Sequence, residues 1–151
     1  MESAEILRQS DRAAASPFID HPRSPGWYSP AVGLWWAGLA VMVHLYLDGR
    51  TVAASILLAA LLVSEMAVIA WLRRRWGVWP RMAQAPAEVK STYHRFVVGV
   101  VLVALVAALA WWQLGWVVGV VVIAVAMTAL HAFYRLRAYP AAAERVRERL
   151  R

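Results

Sequence analysis

Residues 96–134 read FVVGVVLVALVAALAWWQLGWVVGVVVIAVAMTALHAFY, and no Lys, Arg, Asp or Glu interrupts them. A helix rises about 1.5 Å per residue and the hydrocarbon core of a bilayer is about 30 Å thick, so one crossing takes roughly 20 apolar residues. The stretch therefore divides into two spans, Phe96 to Trp112 and Leu114 to Tyr134, with Gln113-Leu114-Gly115 nearly all that separates them. Toward the amino terminus the arrangement recurs: Ala31 to Leu47 and Val52 to Leu72 are joined by Asp48-Gly49-Arg50-Thr51. Helices joined so closely pack antiparallel. The expected fold is all-α, an integral-membrane four-helix bundle of two antiparallel hairpins. Its parts are an amino-terminal segment, 1–30, a four-span domain, 31–134, and a basic tail, 135–151.

Composition agrees, since 62% apolar residues with nine Trp leave too little polar surface for a water-soluble chain of 151 residues. The chain has no cysteine, which excludes disulfides, thiolate catalysis and Cys-ligated metal centres. Glu2, Glu5, Arg8, Asp11, Arg12 and Asp20 occupy the amino-terminal segment with no early apolar run, so it does not read as a cleavable signal peptide. The first span is then its own insertion signal.

Short loops rich in Lys and Arg stay on the cytoplasmic side. Of the 16 basic residues, Arg50 alone falls in a loop on the opposite side, where Asp48 balances it. Both termini and the central loop are expected in the cytoplasm, with the protein multi-pass in the inner membrane. The same topology accounts for the high pI, so nucleic acid is not expected as a partner. Basic residues beside the spans, Arg73, Arg74, Arg75, Arg135 and Arg137 among them, instead attract anionic lipid head groups at about 1 kcal/mol each. Trp and Tyr favour the head-group level. Trp27, Tyr28, Trp71, Trp76, Trp79, Tyr93 and Tyr134 mark the inner interface, and Tyr46, Trp111, Trp112 and Trp116 the outer one.

Outside the spans, a short helix is expected over Ala4 to Ala15. Four prolines and a glycine between Pro17 and Pro30 predict an extended, turn-rich link up to span 1. Pro86, with Glu88 in the first turn, opens span 3, and Pro140 opens a carboxy-terminal helix. Glu144 and Glu148 precede Arg147 and Arg151 by three residues, which supports a solvated or lipid-skimming helix.

Small residues let helix backbones approach closely in lipid. Gly115 and Gly119 form a GxxxG pair, Ala124, Thr128 and Ala132 follow at four-residue spacing, and span 2 offers Ser55, Ala59, Ala60 and Ser64. Spans 2 and 4 are expected to pack closest, within the bundle rather than as a dedicated dimer seam. Met42, Met66 and Met127 read as packing.

The feature nearest to chemistry is Glu65, a carboxylate inside span 2. Such a group is costly in hydrocarbon and ordinarily faces a bundle interior or a wet cavity. It lies about 10 Å from the cytoplasmic boundary and His131 of span 4 about 5 Å, so they meet if spans 2 and 4 adjoin, with Ser64 and Thr128 adding hydrogen bonds. Either a protonated Glu65 donates one interhelical hydrogen bond and does nothing else, or the group handles a proton or cation. His44, toward the outer side and four residues before Asp48, pairs there instead. His44 and His131 sit at opposite depths, which speaks against haem ligation, and no cofactor is expected. No paired carboxylates, metal-binding spacing, phosphate loop or nucleophile with its base appears in the sequence, so an enzyme is not expected.

The run Trp27-Tyr28-Ser29-Pro30-Ala31-Val32-Gly33-Leu34, followed by four spans and a basic tail, resembles small uncharacterised four-span membrane proteins of actinobacteria. The resemblance implies the four-span layout and brings no activity or site residue with it. The expected function is an accessory, scaffolding or regulatory subunit without catalysis, as a homo-oligomer or with a partner membrane protein. The alternative is an oligomeric ion channel or proton-coupled transporter using Glu65.

Overall fold

The computed structural model describes residues 2–20, 25–76 and 82–151, and every element among them is helical. Pro22, Arg23, Trp79 and Arg81, on which some of the turn, aromatic and charge expectations rest, lie outside the described residues. So do the side chains of Glu2, Glu5, Arg8, Asp11 and Trp76. The elements are α1 (Glu2–Ile19), α2 (Tyr28–Leu47), α3 (Thr51–Trp76), α4 (Ala87–Leu114), α5 (Trp116–Phe133) and α6 (Tyr139–Arg149), with a 3₁₀ turn at Met82–Gln84. Four helices are long and apolar enough to cross a membrane, by length and composition. The 20 residues of α2 reach about 30 Å and the 28 of α4 about 42 Å, so α4 projects past a bilayer core at its charged first turns.

Glycine makes both hairpin turns. After α2, Gly49 adopts φ 77°, its N–H donates to Tyr46 O at 3.1 Å, and the Arg50 N–H reaches back to Leu45 O at 2.9 Å. These are the two bonds of a Schellman motif, which satisfy carbonyls that the helix end leaves free. Between α4 and α5 one residue suffices: Gly115, at φ 96° and ψ 162°, a region closed to side chains with a Cβ.

Packing differs from the expectation that spans 2 and 4 lie closest. The helix of span 4, α5, packs most closely on α2 and α4, and α3 rests chiefly on α2. Two glycines explain the choice. A Cβ on Gly33 of α2 would overlap Thr128 Oγ1 and Ala124 O of α5, and one on Gly119 of α5 would sit 2.7 Å from Trp111 Cβ and 3.1 Å from Ala107 O of α4. Close backbone approach is thus built into the α2–α5 and α5–α4 contacts. Ala107, Ile123 and Met127 form the buried centre there, with Trp36 and Ala40 of α2 packed against them. Gly119 thus sits at the approach of α5 to α4, and Ala124 at its approach to α2. Gly115 has open space around it and serves the turn instead.

The terminal segments also depart from expectation. α1 runs to Ile19 through Pro17, and α2 starts at Tyr28 with Pro30 in its first turn, where the missing N–H would be unpaired anyway. The tail packs rather than standing free. From α5 the chain passes through a π-helical turn, Tyr134–Ala138, in which the Tyr139 N–H bonds to Tyr134 O, and continues as α6. Widening the helix there accommodates Pro140, which lacks a donor and crowds the preceding turn. Tyr139, Ala142, Ala143 and Val146 of α6, with Leu150 just after it, face Ala15, Phe18 and Ile19 of α1, Ala85 just before α4, and Val89 in its first turn. Val89, Ala142 and Val146 are wholly buried. Tyr139 Oη donates to Phe18 O at 2.7 Å, Arg147 donates to Ile19 O and pairs with Glu144 at 3.0 Å, and Arg149 Nε lies 3.3 Å from Glu88. We call this small second core the terminal cap.

Candidate functional site

A group of polar side chains meets where α2 begins and α5 ends, at the end of the helices that carries the cap. Because α2 starts at Tyr28 rather than a few residues later, its first turn brings Tyr28 and Ser29 against α5. Ser29 is buried, and its Oγ lies 3.0 Å from His131 Nδ1; the imidazole tautomer sets which of the two donates. The Tyr28 ring meets the His131 ring edge to face at 5.1 Å, and the Phe96 ring of α4 lies 6.2 Å from it. One turn beyond His131, Arg135 Nη1 donates to Pro25 O at 2.6 Å, which ties the entry of α2 to the π-helical turn. His131 therefore lies against side chains of both α2 and α4.

Glu65 stands on α3, which rests chiefly on α2. It lies along α3 in register with Leu61, Val68 and Leu72, the stripe that turns toward α2, where the Trp35 Nε1–H donates to Leu61 O at 3.3 Å. Glu65 is nonetheless exposed on the isolated chain, as is Ser64, where a bundle interior was expected. The four candidate residues do not form one hydrogen-bonded group. Ser64 Oγ donates to Leu61 O at 2.7 Å, Thr128 Oγ1 donates to Ala124 O at 2.8 Å, and each satisfies its hydroxyl within its own helix. What the structure assembles is Tyr28 and Ser29 of α2 against His131 of α5, with Phe96 of α4 beside it.

Chemically, this is a hydroxyl, a phenol and an imidazole brought together by two helices. Such groups can order helices by hydrogen bonding or hold a proton. Tyr28 and Ser29 were missed as site residues. Their signal was the resemblance stretch itself, where Ser29-Pro30 stands just inside a helix start.

The other ends of the helices have an aromatic contact of their own. The His44 ring stacks on Trp116 at 4.2 Å and 13° and meets Trp111 edge-on at 5.9 Å. His44 thus joins α2 to the α4–α5 turn, where pairing with Asp48 was expected. At the cap end, Trp27 packs on Trp71 at 5.5 Å, and the Arg75 guanidinium lies 5.4 Å from the Trp71 ring. Arg73, Arg74, Arg75 and Arg137 are exposed, while Arg135 turns inward to Pro25. No family model, curated protein or solved structure matches this chain.

Proposed function

We propose that the protein is a multi-pass protein of the cytoplasmic membrane with both termini inside, and that it acts as a non-catalytic accessory, scaffolding or regulatory subunit. One observation carries this reading. α3 rests chiefly on α2 and leaves Val52, Ile56, Leu62, Val63 and Met66 exposed, with the Glu65 carboxylate exposed among them. Lipid covers the apolar side chains without cost, but an acidic group in the hydrocarbon costs about 2.5–3.5 kcal/mol on insertion scales. A second protein surface against α3 relieves that cost. Exposed Arg73, Arg74, Arg75 and Arg137 meet anionic head groups at the cytoplasmic face, and Trp27 and Trp71 supply an aromatic belt beside them.

The rival reading is an oligomeric channel or proton-coupled transporter using Glu65, and the placing of that carboxylate within a long apolar helix favours it. Both are tested by isolating the chain from its native membrane in mild detergent and determining the mass and composition of what travels with it. A stoichiometric second membrane protein supports the subunit reading; a pure homo-oligomer that loses ion or proton flux on Glu65→Gln, while still folding, replaces it with the rival.

A further inference from the structure

The helix α3 stands at an edge of the bundle. α5 packs on α2 and α4 while α3 rests chiefly on α2, so the spans follow one another in space as α3, α2, α5, α4. Beside the stripe of α3 that turns toward α2 runs a second one. It consists of Ser55, Leu58, Leu62 and Glu65, all exposed, and half-buried Ile69. Their spacing alternates between three and four residues, the heptad pattern that lets two parallel helices coil along one seam. Ala59, also exposed, flanks it, and with Ser55 it offers small side chains over which two backbones can approach closely.

Glu65 is the member of this stripe that lipid does not suit. Among the described residues its carboxylate has no hydrogen bond and no ion pair. The other spans offer no cation for it, since α2 and α5 contain no Lys or Arg and α4 contains none beyond Arg95. The missing partner must therefore come from outside the chain, at the depth of Glu65. All copies of a membrane protein insert with one orientation, so two copies related by a two-fold axis along the membrane normal place their α3 helices parallel, and like positions face one another. Glu65 then meets Glu65 of the partner subunit at its own level. Two carboxyl groups brought together can hold one proton between them, one donating and the other accepting, which satisfies both away from water. A different protein would need a donor placed at that depth, whereas a second copy brings one by symmetry.

We propose that α3 is the interface of a parallel homodimer, with Leu58, Leu62 and Ile69 packed along the seam, Ser55 and Ala59 at the close approach, and Glu65 as its hydrogen-bonding position. A single polar residue in an apolar seam also fixes the register of the two helices. The proposal rests on the reading above that a protein surface covers α3, and it names that surface as a second copy of the chain.

Because the chain has no cysteine, introduced cysteines report this contact alone. Ser55→Cys and Leu62→Cys on α3, and Leu105→Cys on the exposed side of α4 as a control, are oxidised with copper phenanthroline in the native membrane. The two α3 positions should form disulfide-linked dimers and Leu105→Cys should not. The full chain carrying Leu62→Cys is then reconstituted over a series of lipid dilutions. Adding Glu65→Leu, which is at home in hydrocarbon, should weaken association about tenfold, the worth of an interhelical hydrogen bond at the upper end of its range. Glu65→Gln should retain it, since an amide both donates and accepts. The proposal is overturned if neither α3 position crosslinks, if Leu105→Cys crosslinks as fully, or if Glu65→Leu associates as tightly as the parent. An α3 cysteine that joins a different protein instead overturns the second copy and leaves the subunit reading standing; an α3 that joins nothing removes both.

Discussion

Substituting three glycines by alanine, one at a time, should give a graded series. At Gly119 the new methyl would lie 2.7 Å from Trp111 Cβ and 3.1 Å from both Trp111 Cα and Ala107 O. Carbon atoms rest at about 3.5–4.0 Å, so α4 and α5 must part by about 1 Å. These are backbone or backbone-adjacent atoms that no rotamer change removes. A gap of that size forfeits a quarter to a half of each contact along the seam, and overpacking of this kind costs about 1–3 kcal/mol. Alanine's better helix propensity returns at most about 1 kcal/mol, so Gly119→Ala should lose about 1–2 kcal/mol net. Gly33→Ala meets Thr128 Oγ1 and the Ala124 carbonyl at shorter range and should cost more, nearer 3 kcal/mol. Gly38→Ala meets only the tip of Leu61, with Cδ2 at 2.8 Å, and a leucine tip rotates away. That variant should be neutral within about 0.5 kcal/mol. Unfolding in mixed micelles of dodecyl maltoside and sodium dodecyl sulfate, followed by tryptophan fluorescence, measures all three. The reasoning is refuted if Gly33→Ala and Gly119→Ala unfold with the parent protein, or if Gly38→Ala falls as far as they do.

Other substitutions probe the remaining contacts. Ser29→Ala removes the partner of His131 and should cost about 0.6 kcal/mol, the usual worth of an interhelical hydrogen bond in a membrane, in the same unfolding assay. Tyr139→Phe takes away the donor to Phe18 O and should loosen the cap by about 1 kcal/mol. Val146 is wholly buried in the cap, and Val146→Asp places an unpaired charge there at a cost of about 3 kcal/mol or more. Trypsin should then cut α6 at Arg145, Arg147 or Arg149 far faster, while the unfolding of the long helices changes little.

The four apolar helices and both hairpin turns were legible because the signals are strong and local: long uncharged runs, and glycine where the backbone needs φ 77° or φ 96°. Which helices pack was not legible. Small residues recur on every span, and in lipid no hydrophobic drive between helices separates good pairings from poor ones. The decision falls to single close approaches such as Gly33 on Ala124 and Thr128, a pair distant in sequence. The cap had a readable signal, since Tyr139, Ala142, Ala143, Val146 and Leu150 fall on one side of a helix. Charges crowded between them gave that segment the look of a solvated end. Glu65 was found from its place in an apolar run, but the cluster of Tyr28, Ser29 and His131 depends on the start of α2, which Pro30 obscured.

The most direct test of the four-span topology exploits the absence of cysteine. Single cysteines are placed at Asp48 and Gln113, on the two hairpin turns, and at Ala83 and Arg137, on the cap side, and intact cells are treated with a membrane-impermeant maleimide. Four spans with both termini inside predict labelling of Asp48→Cys and Gln113→Cys alone, with Ala83→Cys and Arg137→Cys reacting only after the membrane is permeabilised. Labelling of Ala83→Cys or Arg137→Cys in intact cells, or protection of either hairpin turn, would contradict that topology.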